Sequence, residues 1–541
     1  MSTQRSVRAA DGTHIAGHEQ GPDGATTLVL VSGHDDDHRV WDAVVAGLGD
    51  TYRIVRYDPR GTGGSAAPRK AAGYHIATLA DDFAAVLAAV SPDQKVHVLA
   101  HGWGAAAVWD YLTRPEAGDR VASFTSVAGL GLEHLRRHLS DSLRHPQRPR
   151  RFLRGLGQLS RLAAAAPRFL PDKRFRSSIT EASVGELQVE VPVQLIVGTE
   201  DEFLAPHVYD DIAAWATRLW RRDIKAGHAL VTSHPQVVAR SVVQFVDHVE
   251  GAPAARELRR AQVGRARDVF ADTLVSVTGA GSGIGRATAV AFARAGAEVV
   301  ISDVDEAGLA ETARLVAAEG VAAHSYRLDV ADAEAVEAFA GQVCGRHGVP
   351  DVVVNNAGVG HAGFFLDTPA AEFDRVLDIN LGGVVNGCRA FGTRMVQRGT
   401  GGHIVNVASM ASYSPLSVMN AYCTSKAAVF MFSDCLRAEL DAAGVGLTTV
   451  CPGVISTNIV GSTRFSLPEL RRADAEAVRS RAQRGFAVRR YGPEKVAAAI
   501  LDAVVKNKAV RPVTPEAYLV YGAAHALPQV MRSTARGGSL M

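Results

Sequence analysis

Short, unbroken apolar runs mark the first half of the chain at 28–32 (Leu-Val-Leu-Val-Ser), 96–100 (Val-His-Val-Leu-Ala) and 193–197 (Val-Gln-Leu-Ile-Val). Runs of this length, with little polar alternation, predict strands covered on both faces, as in a parallel sheet. Stretches of helical period lie between them, for example Leu79 to Val90. Strand–helix alternation of this kind predicts an α/β architecture. The pattern lapses from Gly251 to Asp268, where Gly-Ala-Pro-Ala-Ala is followed by Arg256, Arg259, Arg260, Arg265 and Arg267. This predicts an exposed, partly helical linker. A fresh alternation starts at Thr273, with strands expected near 273–278, 298–302, 350–355, 402–407 and 446–451. Two domains, 1–250 and 272–541, joined by a linker over 251–271, are therefore expected.

Bulk composition changes this picture little. At 541 residues the chain is too long for a single core, and its 47% hydrophobic and 21% charged content is that of an ordinary globular protein. A net charge of +2 gives no global argument for nucleic acid. All five cysteines (Cys344, Cys388, Cys423, Cys435, Cys451) fall in the second half without a CxxC pair or a Cys/His cluster, so reduced thiols and no zinc site are expected. No secretory h-region follows the N-terminal Met-Ser-Thr-Gln-Arg-Ser, and no run of about 18 apolar residues is present. A cytoplasmic protein is expected, with peripheral membrane association left open.

Candidate chemistry concentrates downstream of the run Thr278-Gly279-Ala280-Gly281-Ser282-Gly283-Ile284-Gly285. It follows a predicted strand and opens a predicted helix, the arrangement that seats a pyrophosphate on a helix N-terminus. Gly279 permits the tight turn, Gly283 the backbone approach to phosphate and Gly285 close helix–strand packing. Asp303 ends the next strand, where a carboxylate accepts ribose hydroxyls and repels a 2′-phosphate; this favours NAD(H) over NADP(H). Its alternative role is an N-cap for the helix near Glu306. Further on, Tyr422 and Lys426 stand four residues apart on one helix face, placing an ammonium beside a phenol. A phenol of pKa near 10 needs such a neighbour to exchange protons near neutrality.

With Asp329-Val330, Asn355-Asn356-Ala357-Gly358, Asn380, Ser409 and Pro452-Gly453-Val454-Ile455-Ser456-Thr457 in the same order, residues 272–512 resemble a short-chain dehydrogenase/reductase. The resemblance implies a Rossmann-type doubly wound parallel sheet. It implies Tyr422 as proton donor or acceptor and Lys426 as the cation that lowers its pKa and binds the nicotinamide ribose. Ser409 would hold the substrate oxygen, and Asn380 would carry a proton relay through water to Lys426. The cofactor would be held by Gly279, Ser282, Gly283, Ile284, Gly285 and Asp303, by Asp329 and Val330 beside the adenine, by Asn356, Ala357 and Gly358, and by Pro452, Gly453, Ile455 and Thr457. The segment Asn458–Arg490 follows, where this family places its substrate lid; Ile459, Val460, Phe465, Leu467, Leu470 and Phe486 in it suit either a pocket for a hydrophobic alcohol or ketone or plain packing of the lid. An apolar tail (Tyr518, Leu519, Tyr521, Leu527, Val530, Met531) suits a dimer or tetramer contact, since this family self-associates through its helices.

Residues 7–250 resemble an α/β-hydrolase of the epoxide hydrolase group. The carriers are Ser32-Gly33-His34-Asp35, Asp58-Pro59-Arg60-Gly61-x-Gly63-Gly64-Ser65, the elbow Ala100-His101-Gly102-Trp103-Gly104-Ala105, Asp201 and Gly227-His228. The elbow's apex, where that group carries a nucleophilic Asp, is Gly102, so no covalent intermediate can form there. Asp201 and His228 would remain as the acid and base of a triad without its first member. Ser32 stands where a His is usual, the cap is reduced to about 131–190, and no tyrosine lies between Tyr111 and Tyr209. Three readings follow: a pseudo-hydrolase serving as scaffold or partner-binding domain, a non-covalent hydration, elimination or cyclisation at His228/Asp201, or hydrolysis by His-activated water. The whole chain resembles actinobacterial hydrolase–dehydrogenase fusions.

The reduced cap is strongly basic. From Arg136 to Arg176 there are eleven arginines and one lysine against Asp141 and Asp172. A solvated face is one reading. An anionic partner (a carrier protein, a CoA ester or an acidic lipid surface) is the other; nucleic acid is not expected, because no binding motif accompanies the charge.

Overall fold

The computed structural model describes residues 3–33, 36–169, 188–456, 463–466 and 491–534. The chain divides into two compact units between Ala266 and Arg267.

In the first unit, β1 (Thr3–Arg8), β2 (His14–Gln20), β3 (Thr27–Val31), β4 (Arg53–Tyr57), β5 (Val96–His101), β6 (Val121–Val127), β7 (Val193–Gly198) and β8 (Leu219–Ile224) form one sheet in the order β1-β2-β4-β3-β5-β6-β7-β8. β1 and β2 are antiparallel additions at one edge, and β4 to β8 run parallel with β3. Both faces are covered, which is why the apolar runs are unbroken. Val29 and Val31 pack with Phe83, Val86 and Val108 of helices Ile76–Val90 and Gly102–Tyr111. Leu28 and Leu30 point the other way, onto Val44 and onto Val238 and Val242 of helix Pro235–Val249. Helices Leu132–Leu143 and Pro149–Phe169 make the reduced cap.

In the second unit, β9 (Leu274–Thr278), β10 (Glu298–Asp303), β11 (Ala323–Arg327), β12 (Val352–Asn355), β14 (Gly402–Val407), β15 (Val445–Cys451) and β17 (Val510–Pro512) form a wholly parallel sheet in the order β11-β10-β9-β12-β14-β15-β17. Strand order reverses between β9 and β12, and a ligand crevice opens beyond the carboxyl ends of strands at such a switch point. Val275 and Val277 face Phe292 and Ile500, whereas Leu274 and Val353 face Phe339 and Phe391. A separate pair, β13 (His361–Gly363) and β16 (Arg464–Ser466), lies apart from this sheet in the pairing order.

The linker segment is exposed at 251–253 and 262–269 and helical between them, but a few apolar residues anchor it. Helix Arg256–Ala261 buries Leu258 and Ala261 against Trp220 and Phe245 of the first unit. Phe270 stacks edge-on to Phe292 of the second unit, with ring centroids 4.8 Å apart. Amid the arginines, Leu258 supplies an apolar anchor in the first unit and Phe270 one in the second. Among the described residues no helix is long and apolar enough to cross a membrane, and the five cysteines are free.

Candidate active site and the glycine-tipped elbow

The crevice at the switch point begins with the turn after β9. Gly279 has φ +65°, and a Cβ there would lie 2.7 Å from the Ala357 Cα; a Cβ at Gly285 would lie 2.1 Å from the Gly279 carbonyl oxygen. Both positions therefore require glycine. Ser282 stands at the N-cap position of helix Gly283–Arg294 without a side-chain bond to its first turn, which leaves first-turn amides of that helix without an intrahelical partner. Asn356 clamps this turn to the end of β12: its Nδ2 donates to the carbonyls of Thr278 (3.0 Å) and Gly279 (3.1 Å). The Thr278 Oγ1 in turn accepts from the amides of Asn356 (3.1 Å) and Ala357 (3.2 Å).

Asp303 shapes the same loop. One carboxylate oxygen accepts the Gly281 amide at 2.8 Å and the other the Asp305 amide at 3.1 Å. It is not the cap of helix Glu306–Ala318; Asp305 is, accepting from the Gly308 amide. Asp329 is exposed and accepts the Ala331 amide at 3.0 Å, and Val330 is buried and receives Asn386 Nδ2 on its carbonyl at 3.0 Å. Across the crevice, Pro452 follows β15 and accepts the Met410 amide at 2.8 Å. Gly453 abuts Thr514, whose Oγ1 would stand 2.0 Å from an added Cβ, and Ile455 is buried. Thr457 lies outside the described residues, as do Ile459, Val460, Leu467, Leu470 and Phe486 of the expected lid.

Ser409 follows β14, while Tyr422 and Lys426 lie one turn apart on helix Asn420–Asp441. Tyr422 is half-buried and hydrogen-bonds Ser409. Burial raises its phenol above the ordinary value, the Ser409 bond lowers it, and the neighbouring Cys423 adds to the rise. The lowering by Lys426 expected from the sequence is thus not the net effect. Lys426 is itself buried, its Nζ donates to the Val407 carbonyl at 2.8 Å, and desolvation brings its pKa down to about 8.

Asn380 sits in a π-helical turn, Asp378–Gly382, fully buried. Such wide turns commonly mark functional sites. Its Oδ1 accepts the Val359 amide at 2.8 Å, and its Nδ2 donates to the Val359 carbonyl (3.0 Å) and Ser425 Oγ (3.1 Å). Ser425 Oγ donates back to the Tyr422 carbonyl at 2.8 Å. Gly358 lets these groups converge: a Cβ there would stand 3.1 Å from Asn380 Oδ1 and 3.4 Å from Lys426 Nζ. Sequence reasoning missed Ser425 and the Val407 carbonyl. Ser425, three residues beyond Tyr422, shares its helix face and could have been found by spacing; a backbone carbonyl leaves no sequence signal.

In the first unit, Gly102 occupies the turn between β5 and helix Gly102–Tyr111 with φ +53°. A Cβ built there would lie 3.3 Å from His228 Nε2. His228 Nδ1 meets Asp201 Oδ2 at 2.9 Å, and the buried Asp201 also accepts the amides of Phe203 (2.7 Å) and Leu204 (3.0 Å). Acid and base are therefore assembled around a position without a side chain. His101 is engaged locally: its Nε2 bonds the His228 carbonyl at 3.1 Å, and burial together with the His228 ring brings its pKa down to about 4. Ser32 is engaged locally, donating to the Asp37 carbonyl and accepting Trp41 Nε1, each at 3.1 Å.

Known proteins divide along the same lines. The short chain dehydrogenase family matches residues 273–466, and the alpha/beta hydrolase fold family matches residues 26–159. "Probable oxidoreductase EphD" of Mycobacterium tuberculosis is 54% identical over a 581-position alignment that covers 98% of each chain. The "Short-chain reductase protein NovJ" of Streptomyces niveus is 36% identical over 234 residues, spanning 43% of this chain and 87% of that protein. A crystal structure of a short chain dehydrogenase/reductase from Burkholderia phymatum in complex with NAD is 30% identical, covering 49% of this chain and 96% of its own, with a TM-score of 0.45.

Proposed function

Because this chain belongs to the family of fused α/β-hydrolase and short-chain dehydrogenase proteins that includes EphD, its second unit is a short-chain oxidoreductase, and we propose that it interconverts a hydrophobic alcohol and its ketone with NAD(H). The observation that carries this reading is the convergence of Ser409, Tyr422, Lys426 and Asn380 at the carboxyl ends of the central strands. The glycine turn, too tight for any Cβ, and the Asp303 carboxylate beyond it fit a dinucleotide. When bound, that cofactor supplies or accepts the hydride.

The chain's own groups do the rest. Ser409 Oγ and Tyr422 Oη converge on the substrate oxygen, where negative charge develops during reduction. Tyr422 gives that oxygen its proton in reduction and takes it in oxidation. Lys426, anchored by the Val407 carbonyl, holds positive charge against the developing phenolate. Asn380, fixed by both its amide atoms to Val359, orders the water through which the proton reaches Lys426. Self-association through the dehydrogenase unit belongs to the same reading: Leu519, Leu527 and Val530 of the tail are exposed, while Tyr521 packs on Tyr413.

The cofactor choice rests on Asp303. Asp303→Ala is expected to weaken NADH about 10- to 100-fold, the worth of hydrogen bonds to a charged acceptor, and to weaken NADPH far less because a repulsive charge disappears. Calorimetric titration of both nucleotides into both proteins measures this; equal losses for the two would reject Asp303 as the discriminating residue.

A second reading, acid–base chemistry without a covalent intermediate at His228, is favoured by the intact 2.9 Å pair with Asp201 facing the vacated elbow. Under the principal reading the first unit is catalytically degenerate. His228→Ala should then leave the redox steady-state constants within about 2-fold of wild type, because it removes no group of the dehydrogenase site. A conversion of any substrate that depends on His228 but survives Tyr422→Phe would instead establish two activities.

A further inference from the structure

The second cap helix, Pro149–Phe169, wears its side chains inside out. Its inner face is made by Gly155, Gln158 and Ala165, all buried. Gln158 fastens that face to the unit beneath: Nε2 donates to the Phe203 carbonyl at 2.7 Å and Oε1 accepts the Ala205 amide at 3.0 Å. Arg161 adds a bond from its Nη1 to the Asp201 carbonyl at 2.5 Å. Three of the helix's four leucines turn outward, with Leu153 64%, Leu156 42% and Leu159 39% exposed, while Leu162 is half-buried on the inner side. At 3.6 residues per turn, these three and the exposed Ala163 and Ala164 lie within one arc of about 140°, which the exposed Ser160 and the half-buried Phe152 share. Arg150 and Arg154, both exposed, form the border of that arc, and the exposed Arg144 and Arg148 precede it.

Single exposed leucines are ordinary, but a leucine arc edged by arginines has a specific physical use. A soluble anion, such as a free phosphate ester, needs the arginines and leaves the leucines in water. A lipid surface uses both: leucines enter the boundary between headgroups and acyl chains, and arginine stems lie along the apolar surface while their guanidinium groups reach lipid phosphate. Arg144, Arg148 and Arg150 stand exposed at this end of the helix, while Arg151 lies 3.4 Å from Asp211 and Arg154 3.9 Å from Asp210; the border, positive on balance, selects an anionic surface even though the whole chain is nearly neutral. We infer that helix Pro149–Phe169 seats this protein on an anionic bilayer, lying flat with its leucine arc inserted. The inference is independent of the redox reading, since it concerns only the first unit's cap.

The test is co-sedimentation of the full-length protein with vesicles of phosphatidylglycerol and phosphatidylcholine, and with phosphatidylcholine alone. Binding is expected to the mixed vesicles only, and to weaken as salt is raised. Leu153→Asp/Leu156→Asp should reduce partitioning at least about 10-fold, and Arg150→Gln/Arg154→Gln by a similar factor, with NADH affinity unchanged in both. Leu156→Ser, a milder change, should give an intermediate loss and guards against misfolding of the double variant. Three results would overturn the inference: no partitioning of wild type, leucine variants that bind like wild type, or retention on soluble polyglutamate as strong as on vesicles, which would point to an acidic protein.

Discussion

Replacing Tyr422 with Phe is expected to lower alcohol oxidation and ketone reduction by about 10³-fold, within the span that a positioned acid–base group contributes. NADH affinity should stay within about 2-fold, because the ring remains and only a hydroxyl is lost. The substitution leaves the Ser409 hydroxyl without its phenolic partner and removes the group assigned to give and take the substrate proton. The phenol's elevated pKa gives the sign of the pH dependence. Near neutrality Tyr422 carries its proton, so reduction finds its donor ready, whereas oxidation needs the phenolate and should accelerate toward alkaline pH. Initial rates in both directions from pH 6 to 10, on a panel of hydrophobic secondary alcohols and ketones, measure this. Retention of either limb in Tyr422→Phe would show that another group moves the proton.

Lys426→Met is expected to have two effects of opposite sign. Turnover should fall about 10²- to 10³-fold, as when one preorganised electrostatic group is removed. Stability near neutral pH should rise by about 1–2 kcal/mol. The native pKa of Lys426 is about 8 against 10.5 for an ordinary lysine. Below pH 8 both native and unfolded chains hold the proton, and the full cost of burying the cation is present. Between the two values only the unfolded chain keeps the proton, so wild-type stability climbs with pH across that window. Methionine removes the desolvation cost but orphans the Val407 carbonyl, which returns roughly 1 kcal/mol. Denaturant unfolding at pH 7 and pH 10 should therefore show the variant's advantage at the lower pH and its disappearance at the higher. The transition to follow is the one that NADH shifts, since only the nucleotide-binding unit responds to it. A variant less stable than wild type at pH 7 would mean that the Val407 bond outweighs the burial of charge.

These groups differ in how visible they were in the sequence. The apolar runs at 28–32 and 274–278 could be read as buried parallel strands because both faces of each sheet are covered, leaving no polar alternation. Tyr422 and Lys426 were legible through helical spacing, and Gly279 and Gly285 through their place between a strand and a helix. β1 and β2 were not legible: as an antiparallel pair added at the sheet's edge, with mixed exposure, they lack an apolar run. Leu258 was hidden among arginines, although it anchors the linker helix. The π turn around Asn380 has no local signature either, because it depends on the fit of Asn380 to the Val359 backbone. The outward leucines of the cap helix were illegible for a related reason. Helical period gives the faces of a helix, but only packing decides which face is inside.

The glycine at the tip of the elbow sets a cost on any side chain placed there. At φ +53° any other residue would hold about 1–3 kcal/mol of backbone strain, so glycine leaves the turn relaxed. His228 and Asp201 stand 2.9 Å apart beside it. Gly102→Asp would put a carboxylate next to His228 but would bring that strain with it, and the cap sequence, without a tyrosine from 131 to 190, would offer no phenol to protonate a substrate oxygen. A carboxylate set at this one position is therefore expected to lower the stability of the first unit without producing turnover.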